Sequence, residues 1–238
     1  MKINKYVIYI VIILLTAILF FFGINKLHSV NNKNYNLDTL KAVNPDWRPN
    51  TIRGRDSSIN FVNNKLVVVL SGPGLTDLSP IDSYNIGAVI LCEVDIDNLD
   101  FLKKSTNFDG VVISIAPALK DISVLHNKRI KTLILSNVAV KDISVLKTIP
   151  LENFSLRSSE IIDISPLGNI KSLRRINLIG CKKVNNISSL AKLPALKELY
   201  LMDTMVEDLS LLDGMTLDFL SIVNTPAAKK TFTKKFKS

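Results

Sequence analysis

The sequence predicts an α/β solenoid: parallel strands stacked into a sheet along one side, short helical or 3₁₀ turns along the other, and one transmembrane helix in front. Three observations carry that expectation. One phrase returns seven times between residues 77 and 212, a pattern of spaced leucines precedes most of its copies, and nineteen uncharged residues stand near the N-terminus.

The returning phrase is Asp or Asn, an aliphatic residue, usually Ser, and two positions later Ile or Leu. It runs from Asp77-Leu78-Ser79-Pro80-Ile81 through Asp163-Ile164-Ser165-Pro166-Leu167 to Asp208-Leu209-Ser210-Leu211-Leu212, at intervals of 21, 23, 21, 21, 23 and 22 residues. A period of this length marks stacked units, none of which can bury its apolar face alone. Ser79 before Pro80 and Ser165 before Pro166 read as caps of a short turn, whose first position tolerates Pro because its missing N–H would be unpaired anyway. The recurring Asp reads as a loop and capping residue.

Ahead of most phrases stands Leu-x-x-Leu-x-Leu, as in Leu196-x-x-Leu199-x-Leu201, Leu173-x-x-Ile176-x-Leu178, Leu151-x-x-Phe154-x-Leu156 and Ile130-x-x-Leu133-x-Leu135. Looser versions start at Phe108 and Ile86, and strands at Val68 to Leu70 and from Leu217 to Ile222 bracket the array. About eight rungs result, over 65–223. Alternation turns Leu199 and Leu201 inward and Glu198, Tyr200 and Met202 to the exposed side.

Together the two patterns are those of a leucine-rich repeat. The chain resembles the bacterial leucine-rich repeats of the internalin type, with repeats near 22 residues and the phrase best matched at Asp163 to Leu167. That resemblance implies a right-handed, curved array whose concave sheet binds another protein. No separate module or wall-sorting signal follows the array in this sequence, so a role in host-cell adhesion is not carried over.

In front of the array, Tyr6 to Ile24 is uncharged and flanked by Lys2, Lys5 and Lys26. At 1.5 Å per residue it would span about 28 Å as a helix, enough for a bilayer core. Its apolar run exceeds that of a cleaved secretory signal, and no small-x-small site follows Gly23. The expectation is a single-pass anchor with residues 1–5 cytoplasmic and the repeat domain extracytoplasmic, periplasmic or at the cell surface. Residues 25–64 form a linker and N-terminal cap. In them Leu37 to Val43 suits a short helix, and Trp47, Ile52, Ile59 and Phe61 are expected to cover the open first rung, because solenoid ends need caps.

The formal charge of +9 disperses once located: Lys2 and Lys5 take two, and the tail 224–238 takes five through Lys229, Lys230, Lys234, Lys235 and Lys237, leaving 23 basic against 21 acidic residues. Such a body predicts no nucleic-acid partner. The Lys229 to Lys237 tail, with Phe232 and Phe236, fits contact with acidic lipid or an acidic protein, or a C-terminal cap, or a solvated end.

The search for reaction chemistry gives nothing to assemble. Two histidines, His28 and His126, make no zinc cluster or assisted nucleophile. Asp95, Asp97 and Asp100 lack the Gly and Glu of a calcium loop, and Gly72-Pro73-Gly74 lacks a phosphate-loop Lys and reads as a turn. Neither an enzyme nor a cofactor or metal site is expected. Cys92 and Cys181 lie four rungs apart, roughly 19 Å, too far for a bridge.

The concave face remains. Its N-terminal half carries Val67, Val69, Ala88, Ile90, Val112 and Ile134, and its C-terminal half Asn153, Ser155, Arg157, Arg174, Arg175, Asn177, Glu198 and Tyr200. Exposed apolar surface marks an interface, and Tyr and Arg supply most binding hot spots. Tyr200, Arg174, Arg175, Arg157, Asn177, Glu198, Ile90 and Val112 are therefore the candidate protein-binding residues. A rival reading stands beside this one: a structural or regulatory membrane component whose repeats self-associate or dock their own linker.

Overall fold

The computed structural model describes residues 37–52, 56–62 and 65–235, without the side chains of 60–62 and 231–235. The expected anchor, Tyr6 to Ile24, lies outside them. Among the described residues no helix is long and apolar enough to cross a membrane.

The leucine spacing becomes one sheet in which every strand lies beside its sequence neighbour: β1 (Ser58–Val62), β2 (Lys65–Ser71), β3 (Ile86–Cys92), β4 (Asn107–Ala116), β5 (Arg129–Val138), β6 (Asn153–Arg157), β7 (Arg175–Asn177), β8 (Glu198–Tyr200) and β9 (Phe219–Ser221). From β2 onward all pairs are parallel. Each connection carries a 3₁₀ turn opened by the Ser, or in one case Asp100, of the repeated phrase. An inward row runs Val68, Val89, Val111, Leu133, Phe154, Ile176, Leu199, all buried. Its last member, Leu220, is 38% exposed on β9, the last strand among the described residues.

The repeated Asp or Asn is the capping residue, as expected, whereas the Ser, expected at Ser79 and Ser165 to cap as well, is the residue capped. The side-chain Oδ1 of Asp77, Asn98, Asp121, Asp142, Asp163, Asn186 and Asp208 each accepts the backbone N–H two residues on, at 2.7–2.9 Å. Such an Asx turn satisfies an amide that the start of a short turn leaves free. At the other end of the strands, Glu93, Ile115, Asn137, Ser158, Asp203 and Asn224 take φ between 50° and 60° at equivalent positions, joined by Gly72 and Gly180. The chain leaves each strand through a left-handed residue, which Asn, Asp and Gly tolerate and the β-branched Ile115 strains to adopt.

Buried hydroxyls and a thiol hold the next step of the coil: Ser159 Oγ donates to Val140 O, Thr204 Oγ1 to Leu201 O, Thr225 Oγ1 to Ile222 O and Cys181 Sγ to Leu156 O. Both thiols are free, and burial pushes each up to about 11.

Ahead of the parallel array sits helix α1 (Asp38–Val43), with Leu40 and Trp47 buried in the core. Asn44 ties it to the first turn, donating to Leu40 O and Asp77 O and accepting from the amides of Thr76 and Asp77. The glycines of Gly72-Pro73-Gly74 exist for this junction. A Cβ at Gly72 would meet Arg48 O at 2.0 Å and one at Gly74 would meet Asp46 O at 2.3 Å, so only glycine lets the cap backbone lie so close. β1 then pairs antiparallel with β2, closing an edge that a parallel array leaves open. Ile59 joins the core as expected of a cap residue, but Ile52 does not. At the far end helix α2 (Pro226–Lys235) buries Ala227 and Ala228 and ties Ala227 N–H to Val206 O. Phe232 and Phe236 have no described side chains.

Candidate protein-binding surface

Register places three rows of side chains on the concave side. The first runs Val67, Ala88, Gly110, Thr132, Asn153, Arg175, Glu198, Phe219, and the second Val69, Ile90, Val112, Ile134, Ser155, Asn177, Tyr200, Ser221. The third runs Ser71, Cys92, Ser114, Ser136, Arg157. Period-2 alternation puts them all opposite the inward leucines.

In the N-terminal half this surface is closed. Ile90 and Val112, read from the sequence as exposed, are 3% and 2% exposed and form a small apolar cluster with Ile134 and Ile52, flanked by Val69 and Cys92. The physical reason is the linker. Asn50 N–H donates to Ser71 O and Asn50 Nδ2 to Glu93 Oε2, while Ser57 Oγ accepts from Ser71 N–H. The chain is thereby pinned at the end of β2 on either side of Ile52, which lies on the apolar row. Linker docking, one of the two readings left by the sequence, describes this half.

The C-terminal half is polar and partly open. Arg175 Nε and Nη2 donate to Glu198 Oε2 and Oε1 at 2.7 and 2.6 Å, and Tyr200 Oη donates to Glu198 Oε2 at 2.9 Å. Two-point pairing of guanidinium with carboxylate fixes both planes. The Arg175 hydrogen bond holds the Glu198 carboxyl below its ordinary value and raises that of Arg175; burial, then the Glu198 contact, raises the Tyr200 phenol. The Tyr200 ring packs on that of Phe219, centroids 4.9 Å apart, and Phe219 is 48% exposed.

Of the other candidates, Arg174 is exposed just before β7, outside this network. Asn177 and Arg157 are not exposed side chains but 6% accessible each. Asn177 turns Oδ1 to the amide of Ile179. Phe219 was missed by the sequence reading, although it follows Arg175 and Glu198 at the same register. Among the described residues no group of three or more His, Cys, Asp or Glu is placed to hold a metal ion.

Rung, sheet and turn geometry define the class as a leucine-rich-repeat solenoid. No family model and no curated protein matches the sequence. Solved structures match in fold. An internalin from Listeria monocytogenes superposes with a TM-score of 0.58 at 22% identity, over 63% of this chain and 45% of that one. Internalin C2 from the same species gives a TM-score of 0.50 at 25% identity, over 66% and 80%. This chain thus covers less than half of the first internalin, and shares with both a bacterial internalin-type leucine-rich-repeat fold.

Proposed function

We propose that this chain is a membrane-anchored leucine-rich-repeat protein that binds another protein outside the cytoplasm, through the C-terminal half of its concave face. One observation carries the binding reading: Arg175, Glu198, Tyr200 and Phe219 form a pre-ordered, partly exposed surface that the chain's own cap leaves uncovered. Fixed aromatic and guanidinium groups lose little freedom on binding, and such groups dominate binding energy. The anchor rests on the uncharged run Tyr6 to Ile24 and its lysine flanks. The repeats follow the run, so they share whichever side their topology gives them.

For the N-terminal half the docking of Ile52 favours the second reading, a cap that occupies its own concavity. The test is crosslinking capture from membranes with the anchored protein. Tyr200→Ala and Arg175→Ala should each weaken capture by about 1 to 4 kcal/mol, with membrane insertion and unfolding temperature nearly unchanged. Loss of capture only with Ile90→Ser and Val112→Ser would move the site to the apolar half. An extracytoplasmic reporter fused after Ser238 reads the topology, and a signal only from a cytoplasmic reporter would reverse it.

A further inference from the structure

Among the described residues, two buried side-chain polar atoms have no hydrogen-bond partner, Ser155 Oγ and Arg157 Nε. They stand two positions apart on β6, on the same concave side, and the residues are 4% and 6% exposed. Among the described residues the other buried lysine or arginine, Lys128, behaves differently: its Nζ donates to Ser105 O at 2.6 Å and Lys103 O at 3.2 Å. Arg157 has no such relief. Its register neighbour on β5 is Ser136, with Ser114 beyond on β4. A guanidinium stays charged in a protein, and burying a charge without a partner is costly. Burial accordingly pulls Arg157 below its ordinary value, while nearby Cys181 acts the other way.

The missing anion is not an acidic side chain of this chain. Arg157 takes part in none of the ion pairs formed by described residues. Residues 1–36, 53–55, 60–64 and 231–238 contain no Asp or Glu, so all 21 acidic side chains are described. Any anion that pairs with Arg157 therefore comes from outside these side chains. Arg157 lies at the border between the half that Ile52 closes and the open Arg175–Glu198–Tyr200 surface. Ser155 is in register with Asn177, whose Oδ1 is occupied by Ile179 N–H, leaving its Nδ2 as a further donor.

We propose that Arg157, assisted by Ser155 and Asn177, is a subsite for a Glu or Asp side chain of the bound protein, which enters at the centre of the concave face. The proposal rests on the concave-face reading and gives its partner a chemistry. A planar, weakly hydrated donor set in a partly dry site suits a carboxylate, and the low local dielectric strengthens the contact.

The test uses the full chain in detergent, labelled with ¹⁵N, and a glutamate-containing decapeptide beside its glutamine counterpart. The Arg157 Nε–H resonance, assigned by its absence in Arg157→Met, should shift with the glutamate peptide. The glutamine peptide should bind at least about tenfold more weakly, the mark of about 1.4 kcal/mol. Arg157→Met should bind both peptides equally, with an unfolding midpoint no lower than the parent, since an unpaired buried cation is removed. If that variant unfolds, Arg157→Lys supplies the comparison, keeping the charge without the planar fork. Equal binding of the two peptides by the parent, or unchanged preference in the substituted chain, overturns the subsite. So does inorganic phosphate shifting the resonance as fully as the peptide, which would make it a site for a free oxyanion. The broader reading fails separately: partner capture insensitive to Tyr200→Ala and Arg175→Ala sinks the open surface whatever the peptides do at Arg157. Capture lost in those variants with no peptide effect sinks the carboxylate alone.

Discussion

The two halves of the concave face differ in strand length before they differ in chemistry. β2 to β5 are 7, 7, 10 and 10 residues long, β6 to β9 only 5, 3, 3 and 3. The long strands carry an apolar middle row and receive Ile52; the short ones carry Ser155, Asn177 and Tyr200. One repeat architecture therefore supports two surfaces. Where the row facing outward is aliphatic, water must be excluded and the chain supplies the cover itself. Where the row turns polar, Glu198 is held by Arg175 and Tyr200 and the surface stays partly open.

The largest effect that would break this comparison lies beneath the surface, where both halves should behave alike. Leu178→Ala, in a fully buried inward position, should cost about 2 to 5 kcal/mol in urea unfolding. Asn177→Ala, one residue away, should cost only about 0.5 to 1.5 kcal/mol, chiefly the lost bond to Ile179 N–H. Equal losses would mean that the strand register is wrong.

Next in size is the cover itself. Ile52→Ser should destabilise by about 1 to 3 kcal/mol and uncover Cys92, which borders the Ile52 cluster. Labelling by a thiol reagent should accelerate at Cys92 and stay slow at Cys181, which is fully buried. Unchanged labelling at Cys92 would remove Ile52 as the lid of the apolar half.

The smallest effect sharpens the contrast by what the halves share. The backbone bond from the following Ser holds Asp121, Asp142, Asp163 and Asp208 below the ordinary carboxylate value. A folded value below the unfolded one, about 3.9, means that their contribution is present above that pH and is lost as pH falls through the folded values. Unfolding midpoints should thus drop below about pH 4. Replacing all four by Asn, the residue already serving at Asn98 and Asn186, should flatten that part of the profile. An unchanged acid limb would show that these turns do not govern it.

Much of this was legible because a repeat repeats its physics. Inward leucines, turn residues and rung number follow from period and alternation, and Trp47 and Ile59 read as cap residues because an open rung needs cover. What escaped depends on contacts made once. The linker returns over the sheet to set Ile52 on Ile90 and Val112, and no period marks that return. The capping Asp or Asn stands two residues before the residue whose amide it accepts, Ser in six phrases and Asp100 in one, so from the sequence either polar side chain could serve as the cap. Arg157 and Asn177 sit at positions that alternation labels exposed, yet both are buried. Phe219 carried a signal, the register of Arg175 and Glu198, but stood in a rung treated only as the end of the array.

The central claim, one closed and one open half on the same sheet, is met most directly by site-specific photocrosslinking. A photoreactive phenylalanine analogue would be placed at Val112 or at Tyr200 in the anchored protein, irradiated in membranes, and its adducts mapped by mass spectrometry. Position 112 should react within the chain, with residues around Ile52, and position 200 should give an adduct with another protein that disappears in Arg175→Ala. Intermolecular adducts from position 112, with only internal adducts from position 200, would contradict the account.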